Sequence, residues 1–168
     1  MSTRLTSVYL AEPDDAPALA MIHEDAWRQA YQGLIPHLPL SRMIARRGPG
    51  WWQKALYNGV DALLLDFDNE PAGYATVGRS RLKGTAFSGE IFELYVRPDY
   101  QGIGLGGKLF RAARKRLADR GMPAFCIWAL ADNDMACGFY RHLGGQVISE
   151  GVEQFGDTAL RKVAYAWD

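Results

Sequence analysis

Glu90-Ile-Phe-Glu-Leu-Tyr-Val96, Arg97-Pro-Asp-Tyr100, Gln101-Gly-Ile-Gly-Leu-Gly-Gly107 and Lys108-Leu-Phe-Arg-Ala-Ala-Arg-Lys-Arg-Leu117 follow one another as a strand, a proline-marked loop, a glycine-dense turn and an amphipathic helix. Glycines at a helix start leave several backbone N–H groups free to converge on one anion, and the helix dipole favours negative charge there. The stretch predicts a phosphate cradle.

Three phosphate-binding patterns share these glycines, and spacing separates them. Gly102-x-Gly104-x-x-Gly107 fits the dinucleotide fingerprint, with Asp132 placed like its ribose-binding acid. That motif needs its first glycine at the strand end, whereas Arg97 to Gln101 intervene here, Pro98 among them. Gly102-x4-Gly107-Lys108 imitates a P-loop, but Leu109 stands where a hydroxyl should hold magnesium. The third pattern is Gln/Arg-x-x-Gly-x-Gly/Ala after a strand ending Val-x-Pro. Val96-Arg-Pro98 and Gln101-Gly-Ile-Gly104-Leu-Gly106 supply it. The plain alternative is a set of glycines that only let a tight turn pack.

In that third pattern the chain resembles the GNAT superfamily, the N-acetyltransferases that use acetyl-coenzyme A. The likeness continues through a helix, the strand Phe125-Cys-Ile-Trp-Ala-Leu130, Asn133-Asp-Met-Ala136 and Phe139-Tyr140-x-x-Leu143-Gly144. It implies an α+β fold of three layers, with a central, mixed but mostly antiparallel sheet of six or seven strands flanked by helices.

The bulk numbers fit such a protein. A chain of 168 residues with 48% hydrophobic and 23% charged residues can bury one core, so a single domain over 1–168 is expected. Nineteen basic residues balance nineteen acidic ones. No global field would draw nucleic acid or an anionic membrane, and anion binding must come from local geometry. No apolar run approaches membrane-spanning length, and the first residues lack the form of a signal peptide, so a cytoplasmic location is expected. Cys126 and Cys137 have neither metal-ligand spacing nor a paired framework and read as buried, reduced thiols. His23, His37 and His142 form no zinc-binding spacing, and no metal is expected.

Along the chain, Val8 to Ala11 reads as a strand and Glu12 to Gly33 as a helix with Leu19, Ile22, Ala26, Trp27, Ala30 and Tyr31 near helical spacing. Leu34 to Pro39 reads as a kinked connector, Ser41 as the cap of a basic segment from Arg42 to Arg47, and Trp51 to Tyr57 as a further helix. Asp61–Asp66 and Pro71–Val77 are strands around the turn Asp66-Phe-Asp-Asn-Glu70. Arg79 to Ser88 is a loop, and Gly104 to Arg120 a helix with Leu105, Leu109 and Leu117 on one side. The strand Ala124–Leu130, the helix Asn133–Leu143 and the strands Gln146–Glu153 and Thr158–Tyr165 complete the order, which is α+β with a mixed sheet.

Acyl transfer from a thioester to an amine requires a grip on the diphosphate, a donor for the carbonyl oxygen, a base and an acid. Backbone N–H groups of Gly102, Ile103, Gly104, Leu105, Gly106 and Gly107 suit the first. The resemblance implies that Leu94, Tyr95 and Val96 pair with the pantetheine arm and offer an N–H to the oxyanion, with Gln101 beside them. It also implies that Asn133 bonds the coenzyme and that Tyr140, two helical turns on, protonates the departing thiolate.

Glu90 and Glu93 are the only carboxylates on the strand beside the thioester and are rival bases, with a water relay as the other route. Being three apart, they should face opposite sides of an ideal strand. Trp27 and Tyr31 are candidate acceptor contacts through cation–π attraction. The acceptor is an amine-bearing small molecule or a peptide, attacked directly in a ternary complex without an acyl-enzyme. Pairing into a homodimer stays open. A non-catalytic sensor or regulatory module that binds acetyl-coenzyme A is the alternative.

Overall fold

A computed structural model describes residues 5–168 and shows a seven-stranded sheet in the order β1-β2-β3-β4-β5-β7-β6. Its strands are β1 Thr6–Leu10, β2 Asp61–Phe67, β3 Glu70–Arg79, β4 Gly89–Val96, β5 Phe125–Leu130, β6 Gln146–Phe155 and β7 Thr158–Trp167. The helices are α1 Ala16–Tyr31, α2 His37–Arg46, α3 Pro49–Tyr57, α4 Leu105–Asp119 and α5 Asp134–His142. The sheet is mixed: β4 and β5 run parallel and every other neighbouring pair is antiparallel.

Local chemistry sets most boundaries. Asp68 and Asn69 take positive φ values of 55° and 68° between β2 and β3. Two left-handed residues give a turn whose twist matches the strands it joins, and Asp and Asn tolerate that conformation better than most side chains.

One expectation fails at α2. The connector read over 34–39 and the cap assigned to Ser41 are replaced by a helix that starts at His37, with Pro36 before it and Ser41 inside it. Pro39 is accommodated because it lies in the first turn, where a backbone N–H has no helical acceptor to lose.

The helices cover both faces. Leu105, Leu109, Phe110, Ala113 and Leu117 of α4 pack with Ala75, Val77 and Ile91 on one face. Leu109 and Leu117 are fully buried, worth about 2 kcal/mol each in transfer free energy. On the other face Leu19 and Ile22 of α1 and Trp52 and Leu56 of α3 meet Leu64 and Tyr74. Trp27, Ile35, Leu40 and Ile44 form a third cluster with Leu130 and Phe155. The result is the α+β arrangement expected, with seven strands.

Candidate active site

The two parallel strands stay together only briefly. β4 and β5 pair over Gly89–Phe125, Glu90–Cys126 and Ile91–Ile127, and then part. Beyond Ile91 the main-chain groups of β4 that face away from β3 have no strand partner among the described residues, and the parting opens a cavity of about 730 Å3. Its walls include Phe92, Leu94, Tyr95 and Val96 from β4 and Trp128 and Ala129 from β5. An open strand edge beside such a slot suits an extended ligand that makes main-chain hydrogen bonds.

One end of the cavity is the glycine turn. Gly102 and Gly104 have φ of 82° and 86°, and a Cβ added at either would meet nothing within 4 Å. Packing therefore does not demand glycine at these two positions; the left-handed backbone does. Gly106 differs, because a Cβ there would press to 3.3 Å from the Phe139 ring. The first hydrogen bond of α4 runs from the Lys108 N–H to the Gly104 carbonyl, so the amides before it are left without helical acceptors at the positive end of a helix of 15 residues. The turn fits a diphosphate.

Other expected residues hold the turn or frame it. The Gln101 amide donates to the Val96 carbonyl at 2.9 Å and exchanges hydrogen bonds with Gln29, tying the turn to β4 and α1. Ile103 is exposed and the Leu105 side chain is in the core, which leaves only their main chain for a ligand. Asn133 caps α5 by accepting from the Ala136 N–H at 3.2 Å. It lines the cavity with Tyr140, as the spacing of seven predicts. Burial raises the Tyr140 pKa above the ordinary tyrosine value.

The expectation that Glu90 and Glu93 face opposite sides is overturned. Val77 pairs with Ile91 and Thr76 with Glu93, so Phe92 is an extra residue in β4. This bulge reverses the alternation, and the two carboxylates stand opposite Gly78 and Thr76, on one face. Gly78 permits it: a Cβ there would lie 2.8 Å from the Phe92 ring.

Both carboxylates are held by arginines. Glu90 is fully buried and takes the Arg81 backbone N–H at 3.0 Å and its guanidinium at 2.6 and 3.1 Å. It does not line the cavity, whereas Glu93 does. Glu93 accepts two parallel bonds from Arg47 at 2.9 and 2.7 Å, one from Tyr74 at 2.6 Å and one from Thr76 at 3.3 Å.

Tyr31 lines the cavity and shares a hydrogen bond of 2.5 Å with Tyr95. Burial is the main cause that raises the Tyr31 pKa to about 12. Trp27, expected at the acceptor, sits behind Tyr31 and packs on Tyr31, Tyr95 and His23. Arg47, Phe92 and Trp128 were not singled out from sequence. Arg47 lies against the faces of Trp51 and Trp52 at 4.3 and 4.6 Å, and its place next to Trp51-Trp52 was the only signal available. Cys126 and Cys137 are buried and free, and no group of three metal-ligating side chains forms among the described residues.

Comparison with known proteins agrees with this fold. The chain is 23% identical over 163 residues to the N-acetyltransferase YuaI of Bacillus subtilis, covering 97% of this chain and 93% of that one. It is 27% identical over 162 residues to the thialysine N-epsilon-acetyltransferase of Sus scrofa, covering 91% and 93%. Among solved structures, PaiA N-acetyltransferase of Thermoplasma acidophilum in complex with coenzyme A superposes with a TM-score of 0.74 at 17% identity, over 96% of this chain and 98% of that one. Residues 18–144 match the sequence model of the Acetyltransferase (GNAT) family, and the chain belongs to that family of N-acetyltransferases.

Proposed function

We propose that the chain moves an acetyl group from acetyl-coenzyme A to a primary amine by direct attack in a ternary complex. The coenzyme supplies the acetyl group as a thioester: a C–N bond forms as the C–S bond breaks, the sulfur gains one proton, and the nitrogen, an ammonium in solution, loses two of its three protons to solvent and keeps the third as the amide N–H. The unpaired amides around Gly102 to Gly107 hold the diphosphate, and the Asn133 amide N–H2, not used in capping α5, reaches the same ligand. The free edge of β4 at Leu94 to Val96 pairs with the pantetheine arm and offers an N–H to the carbonyl oxygen, an interaction that strengthens as negative charge develops. Tyr140 gives its proton to the sulfur and regains one from solvent. Tyr31 and Glu93 border the acceptor.

The observation that carries this reading is the parting of β4 from β5 directly beside a glycine turn with unpaired amides. Positioning two reactants in one slot supplies much of the rate in such a transfer. Titration calorimetry with acetyl-coenzyme A, followed by a thiol-release assay across an amine panel, tests it. Binding with amine-dependent thiol release is expected. Binding without release for any amine would mark a sensor instead.

A further inference from the structure

We propose that the acceptor is a weakly basic α-amine, at a peptide N-terminus or on an amino-acid amide, and that it sheds its ammonium proton to water rather than to a side chain. The inference rests on the acetyl-transfer reading above and names the acceptor for the same site.

A general base needs a lone pair turned toward the proton it removes. Glu93 is the only carboxylate or histidine lining the cavity among the described residues. A carboxylate offers about four lone-pair sites. Arg47 fills two of them, Tyr74 a third and Thr76 a fourth. Glu93 therefore presents negative charge to the cavity wall with no site open for a proton.

The neighbouring groups do not replace it. Glu90 is enclosed by Arg81, and His23 is buried behind Trp27. Glu153 on β6 lies beyond the cavity lining, half exposed and 3.8 Å from Lys162. Tyr31, Tyr95 and Tyr140 are neutral phenols, Tyr31 and Tyr95 already bonded to each other. The cavity can receive an amine that is already deprotonated but has nothing free among the described residues to deprotonate one.

Substrate basicity then decides the rate. An α-amine of pKa about 7.7–8.0 is partly free base at pH 7, whereas a lysine-like amine of about 10.4 is not, and the free fractions differ by on the order of 100-fold or more. The walls suit an apolar body beside that amine: Tyr31, Phe92, Tyr95 and Trp128 all face the cavity.

Phenylalanine amide and phenethylamine provide a matched pair, with one aromatic body and different basicity. For each, kcat/KM from thiol release is expected to climb about tenfold per pH unit and level off at that amine's own pKa. At pH 7 phenylalanine amide should be favoured on the order of 100-fold. Glu93→Gln is expected to leave both break points in place, and the wild-type profiles decide the matter if that variant does not fold. A break at one pH shared by both amines, or equal kcat/KM at pH 7, would overturn the inference. Release with thialysine but with neither of these amines also overturns it and leaves acetyl transfer standing. Release with no amine, while acetyl-coenzyme A still binds, removes the acetyl-transfer reading and this inference together.

Discussion

Arg47 and Glu93 face each other through two parallel hydrogen bonds of 2.9 and 2.7 Å, with side chains only 16% and 13% exposed. The pair fastens the joint between α2 and α3 to the middle of β4. Removing one partner of a buried ion pair strands the other charge and costs about 3–5 kcal/mol. Arg47→Met keeps an apolar stem between the tryptophans and is expected to lower the melting midpoint by roughly 6–20 °C. Adding Glu93→Gln should recover much of that loss, because no charge is left unpaired. A single variant that melts like the wild type would show that the pair carries no net stability.

Gly104 tests the cradle independently of the chemistry. A non-glycine residue in the left-handed region costs about 1–2 kcal/mol, and no neighbour stands in the way of an added Cβ. Gly104→Ala is expected to weaken acetyl-coenzyme A binding about tenfold in calorimetry, equivalent to roughly 1.4 kcal/mol. Gly121, at φ 81° with the same open surroundings but past the far end of α4, is the control. Gly121→Ala should lose similar stability with affinity unchanged. Equal affinities for both variants would count against the cradle.

What was legible in the sequence was local. The run from Val96 through Pro98 to Gly107 forecast the strand, turn and helix, and Asp68 and Asn69 forecast their hairpin, because each depends on backbone preferences within a few residues. The orientation of Glu90 and Glu93 was not legible. It turns on the bulge at Phe92, which depends on an absent side chain at Gly78 in the neighbouring strand. Arg47 meets Glu93 across 46 residues of chain, and no spacing rule connects an arginine at a helix joint to a strand carboxylate. Trp27 reads as an acceptor contact because its aromatic face suits a cation. It lies one turn before Tyr31 on the same side of α1, and its ring packs against Tyr31 and Tyr95 without lining the cavity.

Tyr140 has a cleaner signature than either carboxylate. No hydrogen bond from its hydroxyl to another described residue is found, so Tyr140→Phe should melt within about 1 kcal/mol of the wild type. Loss of a positioned proton donor typically lowers rate by 10²–10⁴. We expect kcat to fall by about 100-fold or more with acetyl-coenzyme A affinity unchanged. Burial raises the Tyr140 pKa, so the hydroxyl stays protonated through the neutral range and should add no falling limb to the kcat profile there. An unchanged kcat in the phenylalanine variant would remove Tyr140 from the chemistry.

His23 makes stability depend on pH. Its ring is fully buried, packed on Trp27 at 4.5 Å, and neither nitrogen has a hydrogen-bond partner among the described residues. Burial first, and then the nearby Arg47 guanidinium, lower its pKa from 6.5 to about 3. Between those values the unfolded chain binds a proton at this position and the folded chain does not. Protonation therefore favours unfolding: the full stability is present above about pH 6.5 and is lost as pH falls toward 3, by up to about 1.4 kcal/mol per pH unit. His23→Phe keeps an aromatic ring in the stack without a titrating group. Its stability, measured by urea unfolding from pH 7 to 4, should fall less steeply than that of the wild type by the equivalent of one proton. Carboxylates titrate alike in both proteins and cancel in the difference. Parallel curves across that window would mean that His23 is protonated in the folded chain, and that the pocket between α1 and α3 tolerates a second cation beside Arg47.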